Sequence, residues 1–291
     1  MTGVESSSLK AVAAAFLACL ALAAPAEAAS GNPGVAALQV ALRARGLYVG
    51  TIDGVRGPAT AGAVRRFQRH KGLPVDGVVG PQTRRALGRY GRHAFGTRLL
   101  YAGRSGWDVA ALQFALAAHG FPSGRFDAGF GPHTDAALRR FQRWAHLRAD
   151  GVAGPGTYAA LRRGAPHCPV RLRRPLQVRV GDSFGPRGNR FHPGVDFPAS
   201  YGARVHAAAS GRVVYAGWDS GGYGYLVTIA HRSGVRTMYA HLSRIRVRRG
   251  GWIRVGTLIG NVGASGEATG PHLHFEVRLR GAAVNPLPAL R

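Results

Sequence analysis

The sequence is short of cysteine, lysine and acid, and each shortage removes a class of explanation. Only two cysteines occur, Cys19 and Cys168, and Cys19 falls inside an N-terminal apolar run. Once that run is removed the chain keeps Cys168 alone and cannot form an internal disulfide. Cys168 stands beside His167 among prolines and arginines, and without a second cysteine the pair reads as ordinary connector. Lysine is confined to positions 10 and 71, and Asp plus Glu total 13 against 39 Lys plus Arg, a formal net charge of +26. Nothing in so acid-poor a chain resembles the paired carboxylates of a glycosidase. The arginine excess favours polyanionic partners, yet the arginines are scattered and no recognition motif accompanies them, which argues against nucleic acid.

Long apolar runs are also missing. The N-terminal one, Ala11 to Ala24, is too short for a comfortable membrane span, and no later segment is long and apolar enough. Lys10 precedes it, Pro25 breaks it, and Ala26-Glu27-Ala28 places small residues where a signal peptidase reads. Residues 1–28 are therefore expected to be a signal peptide, with no stable membrane insertion after cleavage. Phe16-Leu17-Ala18 before Cys19 is a poor match to a lipoprotein signal. For an exported chain, anionic cell-wall polymers suit the charge better than nucleic acid does.

What the chain has in quantity is repetition. Residues 35–88 recur as 109–162 at a constant offset of 74, without a gap. Val35-Ala36-Ala37-Leu38-Gln39 returns as Val109-Ala110-Ala111-Leu112-Gln113, and Arg65-Arg66-Phe67-Gln68-Arg69 as Arg139-Arg140-Phe141-Gln142-Arg143. Asp76-Gly77-Val78 with Gly80-Pro81 returns as Asp150-Gly151-Val152 with Gly154-Pro155. Two copies so alike must share a fold. Each reads as three short helices. The first runs from about Val35 to Arg45 on a stripe of Val35, Leu38 and Leu42, with Gly46 as its stop; the second opens near Pro58 and the third at Pro81. No cluster of ionisable residues in either copy suggests catalysis. The Leu-Gln opening, the Arg-Arg-Phe-Gln run and the Asp-Gly-Val-x-Gly-Pro-x-Thr close resemble the type 1 peptidoglycan-binding domain. That resemblance implies attachment to peptidoglycan; a helical spacer that binds nothing would need the same core.

From residue 177 the pattern changes to period-two strands and glycine turns. Candidate strands are Val178–Val180, Gly211–Ala216, Leu226–Ala230, Arg236–Ala240, Thr257–Asn261 and Leu273–Leu279. Short strands with no long helix between them imply an antiparallel β domain. Within it, Phe191-His192-Pro193-Gly194-Val195-Asp196 sets an imidazole and a carboxylate on either side of a Pro-Gly turn. Tyr239-Ala240-His241 ends a strand with a histidine, and Pro271-His272-Leu273-His274-Phe275-Glu276 places two histidines on one face of a strand. A mixed imidazole and carboxylate set with an open position suits Zn²⁺. Glu276 shares the face of the histidine pair and is a candidate to hold an imidazole tautomer. Arg187, in the loop before His192, is a candidate carboxylate contact, and the tyrosines of Gly221-Gly222-Tyr223-Gly224-Tyr225 are candidates to line a peptide groove. The remaining histidines read as surface or packing residues.

At these residues the chain is similar to the lysostaphin-type zinc metalloendopeptidases. The matching elements are His192-x-x-x-Asp196, Tyr239-Ala240-His241-Leu242-Ser243 and Ser265-Gly266-x-x-Thr269-Gly270-Pro271-His272-Leu273-His274-Phe275-Glu276, within about Val180 to Pro288. The resemblance implies that His192, Asp196 and His274 hold Zn²⁺ and that His241 and His272 are the catalytic histidines outside the metal shell. The pair Glu267-Ala268 departs from the family pattern and bears on substrate preference.

The expectation is a multidomain chain, two small three-helix bundles followed by a mostly antiparallel β metallopeptidase domain. Its divisions are a signal peptide (1–28), a helical module (33–90), a linker (91–106), a second module (107–163), a linker (164–176) and the peptidase domain (177–291). The expected function is a secreted, monomeric zinc endopeptidase that cuts peptidoglycan stem peptides or cross-bridges and is targeted by its repeats. The alternative is a non-enzymatic wall-binding protein or an activator of another wall hydrolase.

Overall fold

The computed structural model describes residues 31–291; the expected signal peptide lies outside the described residues. The helical half comprises α1 (Pro33–Arg43), α2 (Pro58–His70), α3 (Pro81–Ala86), α4 (Trp107–Ala118), α5 (Pro132–Trp144) and α6 (Pro155–Leu161). Proline opens every helix but α4, at the position whose missing N–H costs nothing. The Asn32 side chain caps α1, accepting from the N–H groups of Gly34 and Val35.

An eight-residue element governs each module, and it occurs four times rather than twice: residues 53–60, 76–83, 127–134 and 150–157. Each begins with Asp and ends with Thr, and each wraps a buried glutamine from the preceding helix. Gln39, Gln68, Gln113 and Gln142 donate to Asp53, Asp76, Asp127 and Asp150 at 2.6–2.9 Å. The same amides reach Thr60, Thr83, Thr134 and Thr157. Their carbonyls accept the N–H of Gly54, Gly77, Ala128 and Gly151. Each side-chain amide is thereby satisfied in a site where an unpaired polar group would be costly.

The modules are packed on one another. The apolar stripe expected on α1 is only part of what it buries: residues 35–42 are all buried, and so is nearly all of α4. Ala36, Ala37, Val40 and Ala41 share one core with Ala110, Ala111, Phe114 and Ala117. Small side chains let two helix backbones approach closely, so α1 and α4 each cover a second face of the other. The stretches read as linkers are likewise built in. Leu100 is buried in the second module and pairs with Ala153. Leu172 and Leu176 belong to the core of the C-terminal domain, with Leu172 bridged to Leu290. Apolar residues in these stretches had no period to announce them.

The C-terminal domain comprises β1 (Gly185–Arg187), β2 (Arg190–His192), β3 (Val195–Pro198), β4 (Arg204–His206), β5 (Gly211–Asp219), β6 (Gly224–Ala230), β7 (Val235–Ile245), β8 (Trp252–Ile253), β9 (Leu258–Val262), β10 (His272–Leu279) and β11 (Ala282–Val284). Strands β1 and β2 form a separate hairpin; the other nine form one sheet with the path β11-β10-β7-β6-β5-β8, joined by β3 on β10 and by β4 and β9 through β7. Every pairing is antiparallel, as the sequence implies. Val178–Val180 is not a strand: it finds no partner, and its two valines pack against the core from irregular backbone. The rings of Phe197, Tyr239 and Phe275 fill the layer behind the sheet. The alternation that buries Phe275 leaves His272 and His274 on the opposite face.

Candidate functional site

Three neighbouring strands and the hairpin bring the sequence-identified residues together. The register sets His274 opposite Asp196 of β3 on one side and Ala240 of β7 on the other. Strand β7 does not end at Ala240 as expected; it continues to Ile245 through a bulge. There Ala240 and His241 face Leu226 alone, since Tyr239 pairs with Val227 and Leu242 with Tyr225. His241 sits at φ +58°, a left-handed conformation rare for a residue with a Cβ, and its N–H donates to the Tyr223 carbonyl at 2.9 Å. The extra residue re-aims the imidazole into the cleft. Gly194, in the turn between β2 and β3, is needed for a close approach: a Cβ there would lie 2.4 Å from the Phe275 carbonyl oxygen and 3.0 Å from His274 Cε1.

At the cleft floor His192 Nε2 lies 3.1 Å from Asp196 Oδ1 and 3.1 Å from His274 Nδ1, and His274 Nδ1 lies 2.8 Å from Asp196 Oδ1. His272 Nε2 approaches the same carboxylate oxygen at 3.9 Å. The His241 and His272 rings are 4.7 Å apart between centroids. The cleft is about 630 Å³ and is lined by all five residues together with Tyr223 and Glu267.

The outward nitrogen of each imidazole fixes its tautomer. His192 Nδ1 faces the Ser183 carbonyl at 2.9 Å, His241 Nδ1 that of Ser265 at 2.7 Å, and His272 Nδ1 that of Gly270 at 2.9 Å. His274 Nε2 faces Glu276 Oε1 at 3.0 Å. A carbonyl or carboxylate oxygen only accepts, so each of these nitrogens carries a proton, and the other ring nitrogen is turned to the cleft, where it can serve a cation once it carries no proton of its own. Those nitrogens of His192 and His274, with Asp196, form a group of mutually close ligand atoms able to hold a metal ion. Two imidazoles and one carboxylate suit Zn²⁺ and leave further coordination positions open.

Electrostatics fit the arrangement. Burial raises the pKa of Asp196, but hydrogen bonds from His192 and His274 outweigh it and hold the carboxyl well below the usual range. Burial lowers the pKa of His274, and the bonds to Asp196 and Glu276 reverse that, raising it to about 9; a bound cation would take the place of this proton. Glu276 is fully buried, which opposes its charge, yet Arg278 and His274 bring it to about 2. Burial lowers the pKa of His241, keeping its free nitrogen unprotonated.

Of the further candidates, Glu276 holds the His274 tautomer. Arg187 bonds to Asp182 at 2.7 Å and to Asp196 Oδ2 at 3.4 Å, occupying the carboxylate oxygen that turns away from the histidines. The two tyrosines part company. Tyr223 lines the cleft and donates to Glu276 at 2.7 Å, whereas Tyr225 packs edge-on against Trp218, away from it. Arg278, which binds Glu276 at 2.6 Å, was not singled out in the sequence, although its place two residues beyond Glu276 on one strand face was a usable signal.

Residues 190–286 match the family model described as "Peptidase family M23". The catalytic domain of lysostaphin from Staphylococcus simulans is 35% identical, and the match covers 38% of this chain and 90% of that one, with a TM-score of 0.36. The chain belongs to peptidase family M23. Residues 31–87 and 105–161 match the model described as "Putative peptidoglycan binding domain", so two such domains precede the M23 domain. Among curated relatives, a DD-carboxypeptidase/endopeptidase Mpg of Neisseria meningitidis serogroup B is 44% identical over 118 residues, 38% of this chain. The murein hydrolase activator EnvC of Escherichia coli is 34% identical over 151 residues, 45% of this chain and 36% of that protein. The match spans only 27% of the length of the Neisseria relative. The relatives thus include both a carboxypeptidase/endopeptidase and a murein hydrolase activator.

Proposed function

We propose that this M23 protein is a zinc-dependent endopeptidase that hydrolyses an amide bond in peptidoglycan stem peptides or cross-bridges, acting outside the cytoplasm and held to its polymer by the two helical domains. The observation that carries this reading is the convergence of four imidazoles and one carboxylate on a single cleft floor, each imidazole tied from behind to an oxygen acceptor.

In this reading His192, Asp196 and His274 hold the metal, and His241 and His272 remain free to act on substrate. Bound there, Zn²⁺ would polarise the scissile carbonyl and lower the pKa of water. His241 and His272 stand side by side, 4.7 Å apart between ring centroids, each with Nδ1 held by a carbonyl and Nε2 left for the cleft. One can take a proton from the attacking water and pass it to the departing amine. The other can donate to oxygen once protonated, stabilising charge that develops there. The carbonyls of Ser265 and Gly270 keep both rings from turning away. A complete set of ligands and bases favours an enzyme over an activator, for which neither base would be required.

The test is digestion of purified peptidoglycans that differ in cross-link, with mass analysis of the released fragments. Intact protein should release peptides, while His241→Ala, His272→Ala and chelator-treated protein should lose at least a hundredfold, consistent with general acid–base contributions of ~10²–10⁴-fold. Equal release by all four samples would overturn the peptidase reading. Lysis that requires an added second hydrolase would establish the activator instead.

A further inference from the structure

The hairpin that carries His192 is the least supported part of the site. Strands β1 and β2 pair only with each other, outside the nine-stranded sheet, and an isolated two-stranded hairpin is marginally stable in water. Its turn, however, is held from the helical domains. Ile52 N–H donates to the Gly188 carbonyl and Phe126 N–H to the Asn189 carbonyl, both at 2.8 Å. Ile52 and Phe126 are the same position of the two repeats, 74 residues apart. The α1–α4 packing thus presents two equivalent donors side by side to two consecutive carbonyls.

Phe191, the residue before His192, packs against the core that the two helical domains share and meets Phe184 edge-on at 5.0 Å between centroids. A second contact fixes the same docking. Ala283 N–H donates to the Gly120 carbonyl at 3.0 Å, Ala282 is buried in the second module's core, and a Cβ on Gly120 would lie 2.1 Å from the Ala283 oxygen. Backbone this close leaves no room for a loosely tethered domain.

We propose that the paired helical domains are a clamp that positions His192, so that metal affinity in the M23 domain depends on the repeats as well as on the ligands. Ile52, Phe126 and Phe191 are positioning residues in this sense: none is a metal ligand, and although Phe191 also borders the cleft, all three bear on the metal through the hairpin, which is why metal affinity is the readout. Wall attachment and metal-site assembly then share one structure. The inference rests on the proposed reading of His192 as a ligand.

Two measurements on the full-length mature protein test it. Zinc affinity, read by competition with a chromophoric chelator, should fall by ~10–100-fold in Phe191→Ala, the range for groups that orient metal ligands. Phe191→Leu, which refills the apolar contact, should stay within about threefold of the unmodified protein, and so should Trp252→Ala at the distant sheet edge. Because coupling is reciprocal, zinc should also slow hydrogen exchange at the Ile52 and Phe126 amides of the unmodified protein, though both lie outside the M23 domain. A folded Phe191→Ala protein that binds zinc like its parent overturns the clamp. If that variant does not fold, exchange at both amides that ignores zinc overturns it. Failure of the unmodified protein to bind zinc would overturn the proposed function instead.

Discussion

The carboxylate of Glu276 is fully buried and shared among three partners: His274 Nε2 at 3.0 Å, the Tyr223 hydroxyl at 2.7 Å and the Arg278 guanidinium at 2.6 Å. Removing it would strand Arg278, whose side chain is only 25% exposed, as an uncompensated cation and free the His274 ring to change tautomer. Glu276→Ala should therefore cost about 3–5 kcal/mol of stability, read by denaturant unfolding. Glu276→Gln, which keeps the shape and loses the charge, should stay folded and bind zinc ~10–100-fold more weakly. His231 offers a test of pH dependence away from the site. Its Nδ1 donates to the Ser210 carbonyl and its Nε2 faces the Thr237 hydroxyl, and burial pushes its pKa below the ordinary 6.5. Below that value the unfolded chain binds a proton the folded chain refuses. Stability should decline as pH falls from about 6.5 toward the depressed folded value and level off below it. His231→Gln should flatten that slope in urea titrations between pH 7 and 5; an unchanged slope would contradict the assignment. At this scale much was legible. Alternation along β10 places His272 and His274 together in any strand. The bulge that turns His241 inward depends on its pairing with β6, and pairing is not written in β7 alone.

The element that organises the helical domains is the buried glutamine with its Asp-to-Thr loop. Gln39 donates to Asp53, the Val55 carbonyl and Thr60 and accepts from Gly54 N–H, so four loop groups lose their partner when it is lost. Gln39→Leu fills the space and satisfies none of them; with net hydrogen bonds worth about 1 kcal/mol each, it should destabilise the first domain by ~2–4 kcal/mol in urea unfolding. Gln113→Leu should act alike in the second, since its partners are the equivalent residues. The 74-residue repeat was plain in the sequence, while the shorter repeat inside it was hidden by substitution: residues 127–134 carry Ala128 where the other three loops have glycine. Ala128 nevertheless adopts φ +63° and donates to Gln113, as its glycine counterparts do. The packing of α1 on α4 was less legible, because alanine is as common on a solvent-facing helix as on a close helix contact. Leu100 and Leu172 were hidden for a related reason. A single apolar residue in an irregular stretch gains its burial from tertiary contacts.

At the scale of the whole molecule, the few acids of the M23 domain gather at the candidate site. From residue 177 onward the only acids are Asp182, Asp196, Asp219, Glu267 and Glu276. Three of them line the cleft, and Glu276 lies beneath His274. Apart from Asp219, the rest of that domain's ionised surface is arginine, so positive charge prevails outside the cleft and attracts a polyanion. Such attraction is long-ranged only at low salt, since the screening length falls from ~10 Å at 0.1 M to ~3 Å at 1 M. Binding to walls that carry anionic polymers should weaken severalfold between 0.05 and 0.5 M salt, roughly in line with that screening. Binding to peptidoglycan stripped of those polymers should be weaker at low salt and nearly independent of it. A pull-down across a salt series separates the two contributions. Equal salt dependence on both preparations would mean that the net charge of +26 does not act through the polymers. In that case attachment would rest on the helical domains alone, and substitutions on their surface, not on the arginines of the M23 domain, would release the protein from the wall.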